Sequence, residues 1–98
     1  MAKQAVVVKY EVKPGKLNDF LGVLRDHIAK TKASEPGCLQ FDVLRPHAED
    51  NVIRLHEVYA DEEAFRVHNA SDQLAKYRQA SEPLLSDRTV IWCTVEDE

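Results

Sequence analysis

The chain has 98 residues, 13 basic and 17 acidic, with a formal net charge of −4 at pH 7. Since domains typically have on the order of 100–150 residues, we expect residues 1–98 to form one domain. The basic residues are scattered, which argues against nucleic acid as a partner. The longest apolar runs have four residues, whereas a membrane-spanning helix needs about 20, so no membrane segment is expected.

Cellular location and assembly follow from the same features. No signal peptide is visible, so we expect a cytoplasmic protein in which Cys38 and Cys93 act as buried small apolar residues. A domain of this size buries only about 60–65% of the surface of its unfolded chain, so we expect at least a dimer.

The hydrophobic pattern predicts strands and helices in alternation. Apolar residues alternate with polar ones in the strands, as at Val8, Tyr10 and Val12. Apolar steps of three and four from Leu17 to Ile28 indicate a helix, which Pro36-Gly37 ends because the residue before proline avoids helical angles. The predicted strands cover residues 3–12, 38–45, 52–60 and 88–95, and the first predicted helix covers residues 16–33.

The second helix is predicted to start at Asp61-Glu62-Glu63, since carboxylates favour the first turn. Ser71-Asp72 interrupts it and can cap a second piece that ends before Pro83, so we expect a bent or broken helix. The inward stripe of this second piece is predicted to be Leu74, Tyr77 and Arg78.

The element order β-α-β-β-α-β predicts an α+β, ferredoxin-like sandwich, with two helices on one face of a four-stranded antiparallel sheet. The other face is left uncovered, yet the strands carry apolar residues on both sides, which a wet face would not need. We therefore expect a second sheet to cover it, most simply in a symmetric homodimer.

Several kinds of site are excluded by what the sequence lacks. The three glycines are too few and too far apart for a dinucleotide fingerprint or a phosphate-binding loop. The histidines and cysteines lack the spacing of metal-ligand pairs, and no Gly-x-Ser-x-Gly nucleophile motif occurs. We therefore predict no cofactor and no metal.

Glu57 is the first candidate for acid–base chemistry. It shares a strand face with Leu55 and Tyr59, and if that face points to the helices its carboxylate is partly desolvated and its pKa should rise. The alternative is structural: Glu57 bonds a backbone amide, or pairs with Arg25 or Arg78.

His68 is the second candidate. It lies beside the predicted helix break at Ser71, where a cavity could open. With an ordinary pKa of about 6.5, imidazole can accept a proton from a phenol or an enol at neutral pH. The alternative is a structural histidine that favours the dipole at a helix C-terminus.

The remaining candidates are aromatic residues and one further histidine. His27 lies at the border of the apolar stripe of the first helix and is interpreted mainly as a boundary residue. Aromatic side chains could wall a flat ligand, although in so small a domain they can also simply form the core. The aromatic residues are Phe41, Tyr59, Phe65, Tyr77 and Trp92.

Three stretches in order resemble the antibiotic-biosynthesis monooxygenase family, over nearly the whole chain. They are Pro14-Gly15-Lys16…Phe20, then Glu35-Pro36-Gly37-Cys38-Leu39…Phe41-Asp42-Val43-Leu44, then Glu57-Val58-Tyr59…Asp61…Ala64-Phe65…His68. The resemblance implies a dimeric α+β barrel of ferredoxin-like subunits. Members of this family include cofactor-independent oxygenases of quinols and polycyclic phenols, and an isomerase of the phosphorylated autoinducer-2 signal. Others in the superfamily degrade haem, but their distinctive Asn and Trp placements are not evident here.

The resemblance also implies site residues. His68 matches a histidine of the quinol-oxidising and isomerase members, and Glu57 and Tyr59 match their Glu-x-Tyr or Glu-x-Trp strand. Gln73 departs from the isomerase-like relatives, which tend to have a further histidine shortly after the helix break.

The expected function is therefore a cofactor-free monooxygenase of a small aromatic substrate. His68, helped by Glu57, generates the anion of a quinol or polycyclic phenol that can pass an electron to O₂, and Tyr77 or Arg78 stabilises that anion. Two alternatives stay open: an isomerase of a phosphorylated hydroxy-diketone, and a non-catalytic dimer that binds a small ligand.

Overall fold

The structure, a computed structural model, describes residues 2–97. Its strands are β1 (Gln4–Val12), β2 (Cys38–Leu44), β3 (Val52–Tyr59) and β4 (Leu85–Thr94), and its helices are α1 (Leu17–Ser34), α2 (Glu62–Asn69) and α3 (Asp72–Ser81). A 3₁₀ turn at Glu82–Leu84 leads from α3 into β4. The strands form one antiparallel sheet in the order β2-β3-β1-β4. This is the predicted ferredoxin-like α+β arrangement.

The strand register decides which side chains face the helices. Glu57 of β3 is paired with Phe41 of β2 and Val6 of β1, and Val6 is paired with Trp92 of β4. Directly paired residues share one face of a sheet, so these four side chains form a row on the helix side. Val6, Phe41 and Glu57 are buried there, whereas Trp92 on the edge strand is exposed.

Helix α1 forms where its apolar stripe was predicted and packs its buried face on the sheet. His27 differs from the prediction of a boundary residue, because only 4% of it is exposed. Its ring stacks on Tyr77 of α3 at a centroid distance of 4.3 Å and meets the edge of Phe41 at 6.1 Å. His27 is buried by its contact with α3. The residue pattern of α1 alone cannot predict this contact.

The predicted break in the second helix is confirmed between α2 and α3. The side chain of Asp61 accepts a hydrogen bond from the backbone N–H of Ala64 and starts α2. The hydroxyl of Ser71 accepts one from the backbone N–H of Leu74 and starts α3. Of the inward stripe predicted for α3, Leu74 and Tyr77 are buried, but Arg78 is exposed, since it lines a cavity between the end of α3 and the start of the edge strand β4.

Strand β4 begins three residues earlier than predicted, because its pairing with β1 continues past a register shift to join Leu85 with Val12. It is an edge strand whose apolar residues Val90, Ile91 and Trp92 are about half exposed.

The prediction that both cysteines are buried was wrong: Cys38 and Cys93 are half-buried, because each lies on an edge strand. Within residues 2–97, no helix is long and apolar enough to cross a membrane.

Candidate active site

A buried cluster of two carboxylates and one imidazole lies between the helices and the sheet. His68 Nδ1 is 2.9 Å from Glu35 Oε1, and His68 Nε2 is 3.7 Å from Glu57 Oε1. The hydroxyl of Tyr59 donates a hydrogen bond of 2.7 Å to Glu57 Oε1. All four residues are more than nine-tenths buried. Three ionisable groups in contact inside a core of this size are typical of a functional site.

Three elements bring this cluster together. Glu57 lies in the middle of β3 on the face toward the helices, Glu35 follows the last turn of α1, and His68 lies in the last turn of α2. Gly37 allows the close approach of α2, since a Cβ at this position would lie 2.5 Å from the Cβ of Ala64. The turn after α1 can therefore press against α2, which places the imidazole of His68 against Glu35.

Burial sets the protonation of the cluster. Desolvation raises the pKa of Glu57 to about 7, and the negative Glu35 adds to this, while the hydrogen bond from Tyr59 opposes it. Desolvation also raises the pKa of Glu35. Burial lowers the pKa of His68 to about 4, helped by the positive charge of Arg78. At neutral pH the imidazole is therefore neutral, and the pKa of Glu57 lies close to the pH of the solution.

A small cavity of about 50 Å³ opens beside the cluster, between the sheet, α2 and α3. Its walls include Glu57, His68, Tyr77 and Arg78. A larger cavity of about 410 Å³ lies next to it, at the start of β4, and Arg78 and Arg88 line both. Among residues 2–97, neither guanidinium group has a carboxylate within 4 Å. Two guanidinium groups therefore lie between the buried cluster and the outer cavity, whose walls also include Glu82 and Asp87.

Most of the predicted site residues line the small cavity, and the others lie outside its walls. Five of them line the small cavity: Glu57, Phe65, His68, Tyr77 and Arg78. The other four do not line it. Tyr59 lies in the core and donates a hydrogen bond to Glu57, and Phe41 lies beside Glu57 on β2. Trp92 packs on Phe65 at a centroid distance of 4.8 Å, and His27 lies elsewhere.

His27 lies behind Tyr77, at a groove of about 460 Å³ between α1 and α3. Burial lowers its pKa to about 4, with a further contribution from His68. Its Nδ1 is a buried side-chain polar atom for which the described residues supply no hydrogen-bond partner.

Sequence reasoning missed several residues of the site. Glu35 was interpreted only as part of a helix stop, although a carboxylate at the C-terminal end of a helix is unfavourable for the helix dipole and could have drawn attention. Arg88 and Tyr10 are register partners on β4 and β1 and both line the small cavity. Their proximity depends on the pairing of two strands far apart in the chain, which no local pattern shows.

The cluster does not resemble a metal centre. Among the described residues, no three His, Cys, Asp or Glu side chains are arranged to hold a metal ion. The hydrogen bonds of the cluster instead join ionisable groups to one another, His68 to Glu35 and Tyr59 to Glu57.

Comparisons with known proteins agree with this fold. No curated protein matches the sequence. A structure from Caulobacter crescentus, described as a candidate antibiotic biosynthesis monooxygenase, is 29% identical, with a TM-score of 0.93 over 98% of this chain and 92% of that one. A structure from Nitrosomonas europaea with the same description is 19% identical, with a TM-score of 0.87 over 96% and 90% of the two chains.

A further structure, from Bacteroides thetaiotaomicron and again described as a candidate antibiotic biosynthesis monooxygenase, is 22% identical, with a TM-score of 0.85 over 97% and 90% of the two chains. The sequence pattern of the family described as antibiotic biosynthesis monooxygenase matches residues 4–80, which include β1 to α2 and most of α3. Because this family pattern matches most of the chain and the fold agrees with it, the chain belongs to the antibiotic biosynthesis monooxygenase family.

Proposed function

We propose that this protein is a cofactor-independent monooxygenase that oxidises a quinol or polycyclic phenol with O₂. The observation that carries the proposal is the buried pair of Glu57 and His68 at the wall of the cavity, with a carboxylate whose pKa is about 7. General-base catalysis is most efficient when the base titrates near the working pH.

The base removes the acidic proton of the substrate. Glu57 Oε1 and His68 Nε2 are 3.7 Å apart, too far for a direct hydrogen bond, but both side chains line the cavity, so in our proposal the acidic group of the substrate lies against both and its proton passes to this pair. The buried apolar side chains of Val6 and Val8 shield the deprotonated group of the substrate from water. The resulting electron-rich anion can reduce O₂ directly, which a closed-shell neutral phenol does only slowly.

The two cavities divide the substrate between them. A volume of about 50 Å³ accommodates one or two water molecules at about 30 Å³ each, which is too small for an aromatic ring. In our proposal the ring occupies the cavity of about 410 Å³ and only its acidic group reaches the small one. Arg78 and Arg88, which line both cavities, then stabilise the anion as it forms.

The overall reaction balances without a cofactor because the substrate supplies all the electrons. A hydroquinone and O₂ give a hydroxyquinone and water, and an anthrone CH₂ and O₂ give a C=O and water. In both reactions one oxygen atom enters the product and the other leaves as water.

Oxygen consumption by metal-stripped protein, over a panel of hydroquinones and anthrones, tests the proposal. We expect one O₂ consumed per substrate and one ¹⁸O atom in the product under ¹⁸O₂. Autoxidation differs, because it converts a hydroquinone to a quinone and hydrogen peroxide without oxygen incorporation. Loss of uptake in His68→Ala, with uptake retained in His47→Ala in the exposed turn between β2 and β3, assigns the base. The absence of protein-dependent uptake across the panel refutes the proposal.

A second candidate is the isomerase of a phosphorylated hydroxy-diketone. The arginine pair favours it, since Arg78 and Arg88 could bind a phosphate while the same base moves a proton on carbon. Anaerobic conversion of such a substrate, with no oxygen uptake from any phenol, would decide for the isomerase.

We also propose that two copies of the chain associate through the open sheet face. The row Val7, His56 and Ile91 lies on this face, and Ile91 is 54% exposed. Exposed apolar side chains on an uncovered sheet are typical of an interface.

A further inference from the structure

We propose that Glu35 is a positioning residue for the base: its carboxylate holds His68 in the tautomer with the proton on Nδ1, so that the lone pair of Nε2 points to Glu57 and the cavity. This inference rests on the proposed function for its catalytic meaning, but the tautomer itself can be measured without any substrate.

The distances around the imidazole support this tautomer. Nδ1 is 2.9 Å from Glu35 Oε1, an ordinary hydrogen-bond distance, whereas Nε2 is 3.7 Å from Glu57 Oε1, which is too long for a hydrogen bond. A neutral imidazole has one N–H, and in our proposal Glu35 is ionised, so that its carboxylate can only accept. The proton therefore belongs on Nδ1, and Nε2 remains available to accept another.

Glu35 is itself held in place, which a positioning role requires. The amide of Gln73 donates to Glu35 Oε2 at 3.3 Å and to the hydroxyl oxygen of Thr31 at 2.8 Å. The backbone N–H of Cys38 bonds the carbonyl oxygen of Glu35 at 3.0 Å. One carboxylate oxygen thus faces His68 and the other faces Gln73. Gln73, which the sequence marked only as a departure from isomerase-like relatives, thereby acquires a role.

The carboxylate of Glu35 also stabilises the protonated state of His68. When His68 Nε2 takes a proton, an imidazolium forms at a site with little water, and its Nδ1–H bond to Glu35 becomes an ion pair. The other groups that face His68 are Glu57 and Tyr59 from β3, His27 from α1 and Arg78 from α3. Of these, only Glu57 can add negative charge at neutral pH.

The direct test is ¹⁵N NMR of histidine-labelled protein, with the His68 signals assigned from His68→Gln. In the native protein we expect a protonated Nδ1 and an unprotonated Nε2 at pH 7. Glu35→Gln retains the shape, but its amide can donate as well as accept, so we expect the two tautomers to become mixed. In the oxygen-uptake assay the same variant should lower kcat on the order of 10–100-fold with little change in KM.

Glu62→Gln is the control, since Glu62 is an exposed carboxylate of α2, the helix that carries His68, and pairs with Arg66 away from the cluster. It should leave the His68 signals and kcat unchanged. Gln73→Leu, which removes the hydrogen bonds of this amide to Glu35 and Thr31 and leaves the Glu35 carboxylate in place, should shift the tautomers in the same direction by a smaller amount.

A native His68 with its proton on Nε2 overturns the inference without any variant, and so does a Glu35→Gln protein with native tautomer and native kcat. If the wild-type protein oxidises none of the substrates, the proposed function fails while the tautomer measurement still decides the role of Glu35.

Discussion

Replacing Glu57 by glutamine should stabilise the folded protein at neutral and alkaline pH while abolishing its activity. Glu57 is only 5% exposed, and its one hydrogen-bond donor among the described side chains is the hydroxyl of Tyr59. The Oε1 atom of a glutamine can accept the same bond. The substitution therefore removes a buried charge and keeps the contact.

The size of the effect follows from the pKa of this carboxyl group. Burial raises it from 4.5 to about 7 in the folded protein. At about 1.4 kcal/mol per pKa unit, the ionised Glu57 destabilises the fold by about 3 kcal/mol. Between pH 4.5 and 7 the folded state holds a proton that the unfolded state has released, so stability falls as pH rises through this window. Above pH 7 the loss is complete and constant.

Urea unfolding of both proteins from pH 4 to pH 9 measures this difference. We expect the two free energies of unfolding to be similar at pH 4 and to separate by about 3 kcal/mol at pH 8, with the variant more stable. The buried histidines titrate in both proteins, so their opposite pH dependence cancels in the difference. Glu11→Gln, on the other face of the sheet, controls for the loss of a strand carboxylate. A difference that is independent of pH, or equal to that of the control, would refute the burial argument.

The remaining predictions concern close packing and assembly. Gly37→Ala should destabilise the protein by about 1–3 kcal/mol in thermal or urea unfolding, because its methyl group would overlap Ala64. Gly22→Ala in α1, where nothing lies within 4 Å of the added Cβ, should instead stabilise it by about 0.5–1 kcal/mol, and equal signs would contradict the contact. Ile91→Lys should convert a dimer to a monomer in sedimentation. Val67→Lys, on α2 at the same 54% exposure, should leave the sedimenting mass unchanged. A mass unaffected by Ile91→Lys would exclude the sheet face as the interface.

The fold was largely predictable because the sequence features that mark its strands and helices are local. The strand alternation, the stop at Pro36-Gly37 and the cap at Ser71 each depend on a few neighbouring residues, and the structure confirms all three. The start of β4 was misplaced because its first pairing, Leu85 with Val12, is decided by a distant strand.

The candidate site was predictable only in part. Glu57 and His68 could be found because each stands at a marked position, a carboxylate on an inward strand face and a histidine beside a helix break. The contact of His68 with Glu35 could not be predicted, since it requires α2 to fold back on the turn after α1. The burial of His27 was missed for the same reason: its covering ring, Tyr77, belongs to another helix.

The half-buried thiol of Cys38 has a consequence for the durability of the protein. Burial raises its pKa, and the nearby carboxylates of Glu57 and Glu35 raise it further. Quinones are electrophiles that add to thiolates, and only the thiolate form of cysteine is a strong nucleophile. Glu57 and Glu35 therefore also keep the neighbouring sulfur protonated, which under the proposed function would protect it from alkylation by a quinone product.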